Sequence, residues 1–311
     1  VSLRVVFMGS PEFAVSTLRA LHNAFNLVGV VTQPEKGRGR GRKTLPTPVK
    51  SAAIDLGVPV LEATRIDTSD FLAALRQWEP DVIVVAAFGK ILPPDVLRLP
   101  PLGCVNLHAS LLPRHRGASP ISAAILSGDK VTGVCAILMD AGMDTGDILL
   151  AKEIPICEED TAGSLHDKMM EPGALLVVES IARILDKTIQ PKPQQHDRAT
   201  YARPLAKEDG QLDWNRDAAH LSRVVRAMNP WPVAFCMLDR ERLKIWRAGA
   251  RGGSGEPGAV IAIEHEGIAV GTGSGLLLLK EVQAPGKKRM PASEFARGRR
   301  LRIGQRFHGQ G

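Results

Sequence analysis

Metal-ligand spacing is what this chain of 311 residues most plainly lacks: its four cysteines, Cys104, Cys135, Cys157 and Cys236, are scattered, with neither a CxxC pair nor a Cys/His ligand pattern. A structural zinc needs ligands paired at short spacing, so no metal is expected. The same scatter offers no disulfide framework and leaves free thiols in a reducing, cytoplasmic compartment as the expectation. No apolar run reaches the roughly 18 residues that span a bilayer, none is patterned as a secretory signal, and no internal repeat is found. Gly9-Ser10-Pro11-Glu12-Phe13, after the first apolar run, lacks the second and third glycines of a dinucleotide fingerprint. Those glycines let backbone approach a pyrophosphate, so NAD(P) binding is excluded at that turn.

What is present is enough chain for two domains, with 44% hydrophobic and 23% charged residues, the balance of an ordinary globular protein. The net charge of +7 favours a polyanionic partner. Residues 4–8 form a short apolar run; Ser10, Pro11 and Glu12 follow as an N-cap, a first-turn proline and a first-turn acid, predicting strand, tight turn and helix. Residues 27–31 read as the next buried strand. Helical periodicity returns over 48–56 and 71–78, and the β-branched run 82–85 precedes a strand ending at Asn106. This alternation implies an α/β fold with a doubly wound, mostly parallel, Rossmann-like sheet. Ligands then bind outside the carboxyl ends of the strands, where Gly9, Ala87, Phe88, Gly89, Asn106 and His108 fall.

Strands over 134–139 and 148–156 and a long helix over 162–185 close this domain. Pro191 and Pro193, among polar residues without periodicity, read as an extended linker. After a helix at 218–227, short strand-like runs separated by Gly, Asp and Pro turns predict a second, small OB-like β-barrel. The expected domains are residues 1–187 with a basic insertion at 33–48, a linker at 188–203 and a barrel at 204–311. Residues 297–306 read as a solvated basic tail.

The densest chemistry lies in Asn106-Leu107-His108-Ala109-Ser110-Leu111-Leu112-Pro113-Arg114-His115-Arg116-Gly117, with Asp140-Ala141-Gly142-Met143-Asp144-Thr145-Gly146-Asp147 downstream. Side chains alternate along a strand, so Asn106 and His108 face the same way. An amide donor for a developing oxyanion, an imidazole to carry a proton and a carboxylate from a Gly-rich loop are the minimum for acyl transfer to an amine. The plainer alternative, a strand-end Asn and His beside an Asp-rich turn, stands against the length of the combined motif.

At these residues, NxHxSLLPxxRG with DxGxDTGD downstream, the chain resembles the folate-dependent formyltransferases. The resemblance covers the whole first domain. Within that group the methionyl-tRNA formyltransferases match best, since they also carry the second domain and the basic insertion. The resemblance implies 10-formyltetrahydrofolate as formyl donor and the α-amino group of methionyl initiator tRNA as acceptor, with a monomer expected. It implies Asn106, His108 and Asp144 as the catalytic trio and Ser110, Leu111, Leu112 and Pro113 as part of the folate signature. Phe88, Gly89, Lys90, Ile91 and Leu92 would grip the pterin ring, mostly through backbone groups. Asn106 would donate to the formyl oxygen, a contribution of about 2.7 to 4 kcal/mol for a single such donor. His108 would share that oxygen or shuttle a proton toward the leaving folate nitrogen. Asp144 would orient His108 or accept the amine proton through water, and Phe13 would wall a methionine pocket or face the core.

The insertion interleaves Pro34, Gly37, Gly39, Gly41 and Pro46 with Lys36, Arg38, Arg40, Arg42 and Lys43. Alternating Gly and Arg lets guanidinium groups track a phosphate backbone at close range, while a solvated surface loop is the plainer alternative. By resemblance this segment meets the tRNA acceptor arm, with Arg40 reaching the end of the stem. Gly37-Arg38 stands where relatives often carry Pro-Ala, a more basic and more flexible version. Lys287, Lys288 and Arg289 would touch tRNA phosphates. Trp231 and Trp246 would stack bases or, by preference, fill the barrel. Three other readings remain: a formyltransferase for another amine, such as an amino sugar or glycinamide ribonucleotide, a formylfolate hydrolase, or a non-catalytic RNA-binding module. The insertion and second domain weigh against the first, and the trio against the last.

Overall fold

A computed structural model describes residues 3–38 and 43–309. The chain divides into two compact units, one of residues 1–120, 131–155 and 166–203 and the other of residues 121–130, 156–165 and 204–311. In order, the elements through the first half are β1 (Arg4–Gly9), α1 (Phe13–Ala24), β2 (Asn26–Thr32), β3 (Lys36–Arg38), β4 (Lys43–Leu45), α2 (Pro48–Asp55), β5 (Val60–Glu62), α3 (Ser69–Gln77), β6 (Val82–Ala86), α4 (Pro94–Leu97), β7 (Cys104–His108), β8 (Arg116–Gly117) and α5 (Pro120–Ser127). Then come β9 (Val131–Leu138), β10 (Ile148–Pro155), α6 (Ala162–Leu185), β11 (Tyr201–Ala202), α7 (Ala218–Ala227), β12 (Ala234–Leu238), β13 (Glu241–Arg251), β14 (Val260–Glu264), β15 (Gly267–Gly271), β16 (Leu276–Gln283), β17 (Met290–Pro291) and α8 (Ala292–Arg299).

The first unit is built on a sheet in the order β10-β9-β7-β6-β1-β2-β5. β5, β2, β1, β6 and β7 run parallel, while β9 and β10 are antiparallel additions beside β7. The apolar runs of β1 and β6 are buried on both faces, as a parallel sheet covered by helices requires. Val6, Met8, Ile83 and Val85 join Phe71 and Leu75 of α3 in one cluster. The chain leaves β1 toward β2 and returns on its other side at β6, so a topological switch lies between β1 and β6, with Gly9 opposite Ala86.

Ser10 corrects an expectation. α1 starts without a side-chain cap, at Glu12. The Ser10 hydroxyl accepts instead from the Gln33 amide at 3.1 Å and the Thr32 hydroxyl at 3.2 Å, and Gln33 Nε2 donates to the Phe88 carbonyl at 2.7 Å. The exits of β1, β2 and β6 are thereby laced together around the switch point. The loop's need for a partner outcompetes the helix end, whose first N–H groups find the Pro11 and Glu12 carbonyls.

The unit boundaries differ from those expected. Residues 121–130 and 156–165 group with the C-terminal unit. Side chains of α7 hold them there: Arg223 donates to the Leu126 carbonyl and Arg226 to the Asp160 carbonyl, at 3.2 and 2.9 Å, and Ser122 donates to the Ala227 carbonyl at 2.9 Å. Residues 188–203, read as an extended linker, belong to the first unit and include a 3-10 turn at His196–Arg198.

In the second unit the antiparallel sheet runs β12-β13-β16-β15-β14, with β17 on β16. Its two edges are joined by the end of the run 297–306, read as a basic tail, and the residues directly after it. Arg306 bridges Ala259 beside β14, and His308 exchanges both backbone bonds with Met237 of β12 at 2.8 Å. This closes the barrel and leaves neither edge open. Of the run read as tail, residues 297–299 end α8, and Phe307, just beyond it, is buried against Trp214, ring centroids 6.1 Å apart. Among the described residues no helix is long and apolar enough to cross a membrane. Phe307→Ala should therefore cost about 3 to 5 kcal/mol in urea unfolding of the full chain. A true solvated tail would keep the change within about 0.5 kcal/mol.

Candidate active site

β7 carries the centre of the site. It lies between β6 and β9, with Asn106 level with Val85 and Ile137, and His108 level with Cys135. All five of its residues are buried. Behind it, Gly173 of α6 leaves no room for a Cβ, which would stand 2.9 Å from the Leu107 side chain. Helix and strand thus close on the residue between Asn106 and His108. Among the described residues no protein group engages the Asn106 amide, and its atoms are not among those sealed from solvent without a partner. A donor in this condition is available to a substrate.

His108 is held by backbone. Its Nε2 lies 3.0 Å from the His115 carbonyl, which can only accept, so Nε2 carries a proton and donates. Nδ1 is left facing Asp144 Oδ2 at 3.6 Å, an ion-pair distance too long for a hydrogen bond. A proton arriving at Nδ1 would meet that carboxylate. The hydrogen bond that fixes the ring is therefore the one to His115, while Asp144, expected either to orient His108 or to accept the amine proton through water, faces the other ring nitrogen. Asp144 is instead anchored elsewhere: Oδ2 accepts from the Gly117 N–H at 2.8 Å, and its backbone adopts φ of 53°.

Residues missed in the sequence stand behind both groups. The His115 N–H donates to Thr200 Oγ1 at 2.8 Å, Arg116 N–H to the Thr200 carbonyl at 2.8 Å, and Thr200 N–H to the Pro113 carbonyl at 3.3 Å. β11 pairs with β8, and Lys192 exchanges backbone bonds with Ile148. Residues 192–202 therefore form a strap fastened to the loop after β7 and to the start of β10. Polar residues between prolines carry no periodicity, so only Gln194 and Thr200 as isolated hydrogen-bonding types hinted at this.

The expected folate residues divide between packing and surface. Ser110 Oγ donates to the Arg114 carbonyl at 2.6 Å, Pro113 supplies its carbonyl to the strap, and Leu112, with Leu111 against it, packs on Cys135 and Ile137. Phe88 and Leu92 lie in the sheet's core cluster, and Lys90 Nζ reaches the Thr64 carbonyl at 2.5 Å. Ala87 and Gly89 turn with φ of 47° and 73°, and Ile91 is exposed. Phe13 is buried, its ring centroid 5.3 Å from that of His166.

The insertion is more ordered in its arms than an irregular loop. β3 and β4 pair as a hairpin with Lys36 opposite Leu45 and Arg38 opposite Lys43; Arg40 and Arg42 lie outside the described residues. At its base Lys50 bridges Glu35 at 2.7 Å and Glu62 at 2.9 Å. Hydrogen bonds to these carboxylates hold its ammonium above the ordinary lysine value. In the second unit Lys287 and Lys288 are exposed. The Arg289 guanidinium lies 3.2 Å above the Trp246 ring centre, whose indole N–H donates to Gln283 at 3.0 Å. Trp246 is buried, and Trp231 exposed.

Residues 3–181 match the formyl transferase family and residues 204–300 match the formyl transferase C-terminal domain. The chain belongs to the formyl transferase family. It is 45% identical over 303 residues to a methionyl-tRNA formyltransferase of Citrifermentans bemidjiense, covering 97% of this chain and 95% of that one. A sugar 3N-formyl transferase solved with dTDP and 5-N-formyl-THF shares the fold at TM-score 0.65 and 18% identity, over 92% of this chain and 99% of that one. A methionyl-tRNA formyltransferase from Clostridium thermocellum does so at TM-score 0.56 and 18% identity, over 80% and 94%. The formyl transferase fold thus accompanies acceptors as different as a sugar and a tRNA, and the acceptor must be argued from residues.

Gly117 combines a left-handed backbone with a close approach of a neighbouring strand in this formyl transferase site. It has φ of 110°, and a Cβ there would stand 2.6 Å from the Ala202 carbonyl. Gly117→Ala should separate β8 from β11 and withdraw the N–H from Asp144. We expect kcat to fall by about tenfold or more, with Tm lowered. Unchanged kcat in a folded variant would show that the Gly117 bond does not hold Asp144 in its working position.

Proposed function

We propose that this chain, as a cytoplasmic monomer without a bound metal, transfers the formyl group of 10-formyltetrahydrofolate to the α-amino group of methionyl initiator tRNA. The observation that carries the chemistry is an unengaged Asn106 amide two residues from an imidazole whose one available nitrogen faces a carboxylate. For the acceptor, support comes from the identity along nearly the whole chain to relatives named for methionyl-tRNA, together with the basic hairpin.

In the reaction the amine nitrogen bonds to the formyl carbon while the bond from that carbon to the folate nitrogen breaks. The amine loses one proton and the folate nitrogen gains one. Asn106 donates to the formyl oxygen as negative charge builds there. His108 takes the proton at Nδ1, 3.6 Å from the Asp144 carboxylate, and returns it to the departing nitrogen. A folate lying along Ser110–Pro113 and 88–92 would meet mainly backbone groups, because the Ser110 hydroxyl and the Phe88, Leu92 and Leu112 side chains are spent internally.

The assay is formylation by the purified protein, given 10-formyltetrahydrofolate, of charged initiator against charged elongator tRNA. Formyl transfer to initiator tRNA alone is expected, and folate hydrolysis without transfer would sink the proposal. In the same assay Asn106→Ala, His108→Ala and Asp144→Ala should each lower kcat by more than about tenfold with folate binding nearly intact. A variant with near-parent kcat removes its residue from the trio.

The hairpin reading yields a separate measurement. Arg38→Ala, Arg40→Ala and Arg42→Ala should each weaken tRNA binding, the slope of log affinity against log salt falling by about 0.7 to 0.9 for a pure phosphate contact. Arg40→Ala should also narrow the preference for initiator tRNA. Salt slopes and kcat/KM equal to the parent in all three would make the hairpin a passive surface.

A further inference from the structure

We infer that Gln194, on the strap, is the positioning residue that holds Asp144 at His108; this rests on the catalytic role proposed for Asp144. The sheet's register creates the need for it. β9 runs against β7, so Leu138 at its end lies level with Val105, three residues below His108. At about 3.3 Å per residue that is roughly 10 Å short of the imidazole. The loop between β9 and β10 must climb back along β7 to deliver Asp144, and strand pairing does nothing to keep it there.

Gln194 grips that loop from behind. Its side chain is buried, and every hydrogen-bonding position of the amide is filled. Nε2 donates to the Asp144 carbonyl at 2.9 Å and the Gly146 carbonyl at 2.7 Å. Oε1 accepts from Arg116 Nε at 3.2 Å and Nη2 at 2.7 Å. The orientation is unambiguous, since a flipped amide would set oxygen against two carbonyls and NH2 against a guanidinium. Arg116 in turn precedes Gly117, whose N–H holds the Asp144 carboxylate. One amide therefore clamps both stretches of backbone that fix the carboxylate, one through the Asp144 main chain and one through the Arg116 side chain. The left-handed backbone of Asp144 is strained and persists only when its surroundings over-determine it. The clamp supplies that determination.

The experiment compares Gln194→Ala and Gln194→Glu with the parent and with Asp144→Ala, each normalised to folded protein by circular dichroism and folate binding. Both Gln194 variants should lower kcat by about tenfold or more while the KM for folate changes less than about twofold. The glutamate keeps the shape and the Arg116 contacts but loses the paired donors to Asp144 and Gly146. It should fall as far as the alanine, whereas a packing role would let it work near the parent level. Combining Gln194→Ala with Asp144→Ala should add less than about twofold to the loss from Asp144→Ala alone, because both act through one carboxylate. Equal losses from Gln194→Ala in both backgrounds, or parent-like kcat in either single variant, overturn the inference. Parent-like kcat in Asp144→Ala overturns the trio itself and this inference with it, so the two failures are told apart by that one variant.

Discussion

The hydrogen bond from His108 Nε2 to the His115 carbonyl is the constraint on which the rest of the site depends. A carbonyl cannot donate, so this bond places the ring proton on Nε2 and leaves Nδ1 as the nitrogen that can take another. That nitrogen is the one facing Asp144. Everything downstream on the loop serves to hold the carbonyl in place: Ser110 ties the loop to Arg114, Leu112 buries its middle in the core, and Thr200 takes the His115 N–H. His115 and Asp144 both sit at positive φ, 58° and 53°, so the strained backbone in this region lies at the two residues that present the imidazole's partners.

Two kinds of residue differ in how readable they were. Asn106 and His108 announced their shared direction because a strand has a period of two, and β7 is a strand with both faces covered. The helices at 162–185 and 218–227 were readable for the same reason, through a period of 3.6 residues, and the observed elements carry those bounds. Asp144 was recognisable only through its motif, since its loop starts three residues below His108 and no local pattern says that it climbs back. The ring's hydrogen bond goes to a main-chain carbonyl, which has no sequence signature at all.

The strap and the barrel closure were illegible for a related reason. Residues 192–202 and 304–309 are mostly polar or basic, interrupted by Pro or Gly, and apart from isolated residues such as Phe307 show no apolar periodicity. Their positions are set by backbone bonds to distant partners: Thr200 to the loop at 113–116, and His308 to Met237. Such pairing is set by where the edge N–H and C=O groups stand in space, and composition is indifferent to it. The Ser10 outcome is the same competition on a smaller scale. A short hydroxyl beside a helix start has two kinds of backbone to satisfy, and the exit of β2 won it.

The buried arginine explains why the strap is built with an amide. Arg116 is among the largest fully buried side chains, and its bonds go to neutral acceptors, Gln194 Oε1 and His196 Nδ1 at 3.0 Å. Burying a charge without full hydrogen bonding is costly, and a carboxylate opposite it would satisfy the guanidinium more strongly than an amide does. A carboxylate, however, has no N–H to offer the Asp144 and Gly146 carbonyls on its other side. Only an amide accepts from a cation at one end while donating to two carbonyls at the other. The neutral group also leaves Asp144 as the carboxylate opposite His108 Nδ1, with no second negative charge brought in behind it. Holding the acid in place and keeping its field undiluted are thus met by one side chain whose strength as an ion-pair partner is deliberately low.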